Sequence, residues 1–276
     1  MKLSCQEHIV PGASFAEKVA FLAQLGFDGI ELTQGDRGVM EGSLRHRIGE
    51  IRNATASAPV RPSVVCTKVY DLLHTDPAAR RAAMAQVLDA LEVAAAVGAL
   101  GAIIVPRFGP PMVPDLSPVY TPRELEHKLI VSILKELAPR AQDLGALIML
   151  EPLHRYIVKF LRTVEHGLQI CAELNSPNVC LMIDVFQSYA EELSVPESIR
   201  QAGPLVRHIH LSDHNRRLPG QGNTDFRAIF RATRDIGFAD YLSFECEVFG
   251  DKAVELRAAA EFVKQELKAS QEAAKS

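Results

Sequence analysis

Residues 147–184 read LIMLEPLHRYIVKFLRTVEHGLQICAELNSPNVCLMID. An apolar run of strand length comes first at 147–151, a longer amphipathic stretch follows at 163–174, and a second apolar run closes the segment at 179–184. This order is typical of a unit in which a helix joins two parallel strands. Both apolar runs end in a carboxylate, Glu151 and Asp184.

The same strand–helix unit repeats along the chain. Strands are predicted at 2–7, 29–32, 62–66, 102–105, 147–151, 179–184, 206–211 and 241–245. Helices are predicted at 15–25, 44–56, 77–97, 122–143, 163–174, 195–202, 225–236 and 254–268. Glycines such as Gly98 and Gly237 directly follow predicted helices, where a left-handed residue commonly ends a helix. The local signals therefore agree with the predicted order of elements.

Eight such units can form either an open sheet or a closed barrel. No GxGxxG fingerprint follows the first strand, which argues against an open sheet that binds a dinucleotide. A closed barrel of this length is an ordinary one-domain protein. The sequence therefore predicts an α/β fold, a single (β/α)8 TIM barrel over residues 1–276, with a polar, disordered tail at 269–276.

The composition argues against several classes of protein. A net charge of −4 provides no field that would attract a polyanion, so no nucleic-acid partner is expected. The five cysteines are scattered without a CxxC pair, which argues against a disulfide scaffold and a structural zinc site. No apolar run reaches the length of a secretory signal or a membrane span. A cytoplasmic protein without a membrane partner is expected.

The last four predicted strands carry metal-competent side chains at their carboxyl ends. These side chains are Glu151, Asp184, His210 and Glu245. In a barrel the carboxyl ends of all strands meet on one face, where the active sites of such folds lie. Any one of these residues could instead form a salt bridge or cap a helix, but four of them behind apolar runs would be costly to bury without a cation. The sequence therefore predicts a metal site at the barrel mouth.

Three carboxylates and one imidazole form a hard ligand set that suits an octahedral divalent cation. Manganese is the expected ion, with magnesium, cobalt or zinc as alternatives. His208 precedes His210 by two residues and so points to the same face of the strand, one layer deeper. It could orient a metal ligand or be a hydrogen-bonded core histidine.

The loop after the seventh strand is the most distinctive segment. Residues 210–226 read HLSDHNRRLPGQGNTDF, a polar stretch with glycine and proline that leads into a helix. Arg216 is predicted to lie over the metal, where its guanidinium could bind vicinal hydroxyls, a carboxylate or a phosphate. For Arg217 a salt bridge in a solvated loop is the preferred interpretation.

These segments resemble a known family. The order LEPLHRY (150–156), IDVF (183–186), HIHLSDHNRRLPGQGNTDF (208–226) and a final strand-end glutamate is similar to the xylose-isomerase-like barrel superfamily, and within it to the D-tagatose/L-ribulose 3-epimerase group. The resemblance covers most of residues 2–265 and is tightest over 147–226. It implies a small polyhydroxylated substrate and a homodimer or homotetramer.

Carried over residue by residue, the resemblance also implies roles for individual side chains. It makes Glu151, Asp184, His210 and Glu245 the metal ligands. It makes Glu151 and Glu245 the acid/base pair as well, Arg216 a substrate-binding residue and Cys66 a residue that lines the pocket.

Three positions depart from the family pattern. A substrate-contacting histidine of the family is Gln187 in this chain, a glutamate is Ile157, and the asparagine of LEPLNRY is His154. Gln187 and His154 are therefore candidate substrate-binding residues with altered chemistry. These departures leave the identity of the sugar, and the reaction, open.

The resemblance implies a ketose 3-epimerase or isomerase that acts through a metal-stabilised enediolate. A dehydratase or lyase of a cyclic polyol or keto-sugar is the alternative, as in inosose dehydratases, dehydroshikimate dehydratases and subunits that cleave C-glycosides. An apurinic endonuclease is less favoured, because its three-metal site needs a histidine where this chain has Gln187. A non-catalytic binding module is disfavoured by the intact set of four ligands.

Overall fold

The computed structural model describes residues 1–34 and 44–272. The centre of the fold is one parallel β-sheet. Within those residues the sheet has eight strands: β1 Lys2–Cys5, β2 Gly29–Thr33, β3 Arg61–Cys66, β4 Gly101–Ile104, β5 Leu147–Leu150, β6 Val179–Asp184, β7 Val206–Leu211 and β8 Tyr241–Phe244. Each strand pairs with the next along the chain from β2 to β8, and β8 pairs with β1. Between β1 and β2, the Asp28 N–H donates to the Leu3 carbonyl at 2.8 Å, and Gln6 bridges to Glu31. The predicted TIM barrel is confirmed.

Helices surround the barrel. They are α1 Phe15–Gln24, α2 Ile48–Thr55, α3 Pro77–Val97, α4 Pro122–Asp143, α5 Val164–Leu174, α6 Val185–Tyr189, α7 Val195–Ala202, α8 Phe226–Asp235 and α9 Lys252–Glu272. Thr121 caps α4 in a capping box with Glu124, and Gly98 ends α3 in the left-handed region (φ 77°), as its position after the helix predicts. No helix in residues 1–34 and 44–272 combines the length and apolarity needed to cross a bilayer.

Four main differences separate the observed elements from the predicted ones, and the other helix and strand ends shift by at most two residues. A 3-10 turn at Glu7–Ile9 ends β1 two residues early, and another at Leu44–Arg47 replaces the first turn of the predicted helix 44–56. Helix α6 was not predicted, because its five residues are too few to show a period. Helix α9 continues to Glu272, past the predicted start of the tail at 269, and residues 273–276 lie outside the described part of the chain.

The core has two main parts. The larger cluster lies between the sheet and the surrounding helices and includes Phe27, Phe230 and Phe244. The smaller cluster is formed by inward-facing residues from β3 to β6: Val64, Ile103, Leu147, Met149, Cys180 and Met182. Because side chains fill the barrel interior, the space open to a ligand lies at the carboxyl ends of the strands.

Candidate metal centre and substrate pocket

The four predicted ligands meet at the carboxyl end of the barrel. Glu151 directly follows β5, Asp184 ends β6, His210 is the penultimate residue of β7, and Glu245 directly follows β8. One ligand atom from each lies within 4.8 Å of the others, and all four side chains are buried. The structure therefore brings together the residues that sequence spacing selected.

The imidazole of His210 lies between the carboxylate of Glu31 on one side and the carboxylates of Glu245 and Glu151 on the other. Its Nε2 lies 3.0 Å from Oε1 and 3.2 Å from Oε2 of Glu31. Its Nδ1 lies 3.0 Å from Oε2 of Glu245 and 3.8 Å from Oε1 of Glu151, but makes no aligned hydrogen bond. In the neutral form of the ring, a carboxylate at Nε2 favours the tautomer with the proton on Nε2, which leaves the Nδ1 lone pair facing the other carboxylates.

The charges at the mouth are costly to bury together. Burial raises the pKa of Glu151 to about 8, and the nearby carboxylates of Glu245 and Asp184 add to that rise. Burial also raises the pKa of Asp184. Burial alone would lower the pKa of His210, but the negative charges of Glu31 and Glu245 raise it well above its usual value. Three buried carboxylates and an imidazole nitrogen without an aligned partner fit a hard divalent cation.

Arg216 lies over this cluster, as predicted. Its Nη1 donates to Oδ2 of Asp184 at 2.7 Å, and its Nη2 lies 2.7 Å from Oε2 of Glu245. The residue adopts a left-handed backbone conformation (φ 66°), which is uncommon for a residue with a side chain. Its N–H donates to the Asp213 carbonyl at 2.9 Å, and its carbonyl accepts from the N–H of Glu247 at 2.8 Å. The loop thus holds the guanidinium at the mouth.

A pocket opens beside the cluster and is lined in part by Glu151, Glu245 and Arg216. Two other predicted substrate-binding residues, Cys66 and Gln187, also line this pocket. Asp184 positions Gln187, because its side chain accepts hydrogen bonds from the first turn of α6, including the Gln187 N–H at 3.2 Å.

His154 lies behind Gln187, outside the described lining of the pocket. Its backbone N–H donates to Oε1 of Gln187 at 3.3 Å, and its ring contacts Phe186 and Tyr156. Arg217 contacts the ring of Phe249, with 4.8 Å from its guanidinium carbon to the ring centroid. Neither arrangement was anticipated from the sequence, because it depends on the short helix α6 and on the path of the loops.

Glu31 is the buried residue that sequence reasoning missed. Besides the two contacts with His210, its carboxylate lies 2.9 Å from Nε2 of His208 and accepts from Nε2 of Gln6 at 2.8 Å. Burial would raise the pKa of Glu31, but His210 and His208 hold that pKa well below its usual range. His208 and His210 therefore share the carboxylate of Glu31. An acidic residue inside the apolar strand GIELT was the signal that could have identified it.

The pocket has two unlike walls. The wall from β1 to β3 is polar and presents Gln6, Thr33, Gln34, Thr67 and Lys68. The wall on the β4 and β5 side is apolar and presents Val105, Phe108, Leu153 and Ile157, with Tyr70 edge-on to Phe108 at 4.5 Å between ring centroids. Ile157, which departs from the family pattern, thus belongs to an apolar surface.

The sequence matches the family model described as xylose isomerase-like TIM barrel over residues 19–267. It is 26% identical over 249 residues to 3-dehydro-D-guloside 4-epimerase of Escherichia coli, an alignment that covers 89% of this chain and 92% of that protein. It is 36% identical over 112 residues to L-ribulose 3-epimerase of Mesorhizobium japonicum, covering 41% of this chain and 38% of that protein. The structure superposes on 3-keto-D-glucoside 4-epimerase from E. coli with a TM-score of 0.83 at 25% identity, covering 96% of this chain and 99% of the other.

Proposed function

The chain belongs to the xylose isomerase-like TIM barrel family, and from this premise we propose that it is a divalent-metal-dependent epimerase of small keto-sugars. The observation that carries the proposal is the convergence of Glu151, Asp184, His210 and Glu245 within 4.8 Å beside the pocket. The epimerase names of the similar proteins support it.

Those four residues would hold the cation, for which manganese is the expected identity. When bound, a divalent cation supplies the positive charge that stabilises the negative charge developing on a ketone oxygen as the neighbouring carbon loses its proton. Arg216 adds a fixed positive charge and hydrogen-bond donors at the same place.

Glu151 and Glu245 are the proposed acid/base pair. They come from β5 and β8, and both line the pocket. Inversion at a carbon needs one carboxylate to take the proton from one face and a second acid to return a proton to the other face. Two carboxyl groups on different strands of one mouth can approach a substrate from two sides, whereas a single base would return the proton to the face it came from.

A 4-epimerisation of a 3-keto-glycoside is the second candidate. The chemistry is the same, because C4 is next to the ketone in a 3-keto-sugar just as C3 is in a 2-ketose. Two observations favour it: Gln187 and Ile157 depart from the 3-epimerase pattern inside the pocket, and the chain covers 92% of a relative named as a 4-epimerase.

Proton NMR in deuterated water separates these reactions. The protein, loaded with Mn²⁺ and then with Mg²⁺, is incubated with D-psicose, D-fructose, L-ribulose and a 3-keto-D-glucoside. Deuterium at C3 of a ketose with inversion is expected for a 3-epimerase, and deuterium at C4 of the 3-keto-glucoside for a 4-epimerase. Asp184→Asn protein is the control and should exchange neither carbon, since it lacks one ligand charge.

Other outcomes of these experiments would identify a different activity or contradict the proposed epimerase function. Loss of water from the substrate would identify a dehydratase, and cleavage of an abasic DNA duplex would identify an endonuclease. No exchange with any sugar, together with no divalent cation found by elemental analysis of the purified protein, would contradict the proposal. Light scattering tests the expected homodimer or homotetramer.

A further inference from the structure

Three buried oxygen atoms on the polar wall of the pocket lack partners. They are Oε1 of Gln6, Oγ1 of Thr33 and Oε1 of Gln34, and none accepts or donates a hydrogen bond within the part of the chain that the structure describes. Gln6 is 0% exposed and Thr33 is 4% exposed. Leaving such a group unsatisfied costs about 1–3 kcal/mol, so water in the free protein, or a polar ligand in the pocket, is expected to complete the hydrogen bonds of these three atoms.

The orientation of Gln6 follows from its neighbour. Its Nε2 donates to the Glu31 carboxylate at 2.8 Å. Turning the amide over would place Oε1 against that carboxylate, so the contact fixes Oε1 as the atom left for the ligand. Gln34 directly follows β2, and its backbone N–H donates to the Cys66 carbonyl at 2.9 Å, which anchors the end of the strand at the pocket. Thr33 is the last residue of β2.

The chemistry of these atoms selects the ligand. The two amide oxygens accept hydrogen bonds, and the threonine hydroxyl can accept or donate. Hydroxyl groups of a sugar supply the donors that such a wall needs, while a phosphate or carboxylate would bring further acceptors. The apolar wall that includes Phe108 and Leu153 lies across the same pocket and suits the C–H face of a sugar.

We propose that Gln6, Thr33 and Gln34 form a hydroxyl-binding subsite for the part of the substrate outside the reacting carbon and its carbonyl. The subsite selects neutral polyhydroxylated substrates over deoxygenated or phosphorylated ones. That it binds the non-reacting part rests on the proposed function, whereas the binding of hydroxyls does not.

Variants of Thr33 and Gln34 test the subsite. Thr33→Val keeps the shape of the side chain but removes its hydrogen bonds, and Gln34→Leu removes the amide. Thr75→Val and Gln24→Leu, at exposed positions, are the matched controls. Thr33→Ser keeps the hydroxyl and should restore binding. Gln6 is left unchanged, because its substitution would also disturb Glu31.

Binding is measured by calorimetry on Mn²⁺-loaded protein with two probes, D-psicose and the hexitol D-mannitol, which has no carbonyl and cannot react. Thr33→Val and Gln34→Leu should each weaken both affinities by about threefold to tenfold, as expected for the loss of one neutral hydrogen bond. The controls and Thr33→Ser should bind as the parent does. With D-psicose, KM should rise in the same proportion while kcat stays within about twofold.

Several results would overturn the subsite. One is equal binding by Thr33→Val, Gln34→Leu and the parent, and another is a parent protein that binds neither probe. A phosphorylated ketose that binds more tightly than D-psicose would point to Lys68, which also lines the pocket, and would refute selection for neutral substrates. Hexitol binding that depends on Thr33 and Gln34, without deuterium exchange in any sugar, would uphold the subsite and refute the epimerase.

Discussion

The two halves of the barrel interior differ in polarity. The half formed by β3 to β6 is mainly apolar and contains Val64, Ile103, Leu147, Met149, Cys180 and Met182, although Ser63 on β3 contacts Ser4 of the other half. The half formed by β7, β8, β1 and β2 is polar and contains buried His208, His210, Ser243, Ser4, Gln6 and Glu31. Two proposed metal ligands, Glu151 and Asp184, lie at the carboxyl ends of strands in the apolar half, and two, His210 and Glu245, belong to the polar half.

This difference assigns different tasks to the halves. Below Glu151 lies an apolar layer that cannot stabilise a charge, and burial raises the pKa of that carboxyl to about 8. Below His210 lies Glu31, whose carboxylate holds the ring from the other side. The apolar half thus excludes water from the mouth, which strengthens electrostatic interactions between the charged groups there. The polar half fixes the orientation of the His210 ring.

Removing the carboxylate of Glu245 should have the largest effect. Glu245→Gln deletes one proposed base and one ligand charge, and epimerisation should fall by about 10²- to 10⁴-fold, the range for loss of a general acid or base. Measuring kcat at saturating Mn²⁺, with metal content determined in parallel, separates lost proton transfer from lost metal. Glu247→Gln, at an exposed position two residues away, is the control. A Glu245→Gln protein as active as the parent would contradict the two-carboxylate scheme.

Glu31→Gln tests the support that the polar half provides. The substitution keeps the size of the side chain but removes the charge that His208, His210 and Gln6 share. Metal affinity should weaken by about 10- to 100-fold, as is usual when a partner that orients a metal ligand is removed. Competition with a chromophoric chelator measures this without any turnover. Glu136→Gln, exposed on α4, should bind metal as the parent does. Unchanged affinity in Glu31→Gln would show that His210 needs no such support.

The sequence predicted best what depends on chain order. Strands recur at regular intervals and their carboxyl ends must meet, so the positions of Glu151, Asp184, His210 and Glu245 at one mouth followed from the fold class.

It predicted less well what depends on contacts across the barrel. Glu31 lies 177 residues from His208, and no local pattern links them. The same holds for the polar wall, because Thr33 and Gln34 look like ordinary strand-end residues until the pocket is seen. His154 lies behind Gln187, whose position depends on helix α6. The sequence could not predict this arrangement, because a five-residue helix is too short to show a periodic pattern.

The smallest expected effect distinguishes two serines within the polar half. Ser4 and Ser243 are fully buried and pair in the register of β1 and β8, but Oγ of Ser4 lies 2.8 Å from Oγ of Ser63, whereas Oγ of Ser243 has no partner in the described residues. Ser4→Ala should lower the free energy of unfolding by about 1 kcal/mol, since it leaves the Ser63 hydroxyl unpaired. Ser243→Ala removes a hydroxyl that makes no hydrogen bond to any described residue, so the free energy of unfolding of this variant should be unchanged or rise by up to about 1 kcal/mol. Urea unfolding of both variants and the parent at one pH measures the difference. An equal loss in the two variants would mean that Ser243 is hydrogen-bonded in solution, and that the polar half is as fully satisfied at β8 as it is at β1.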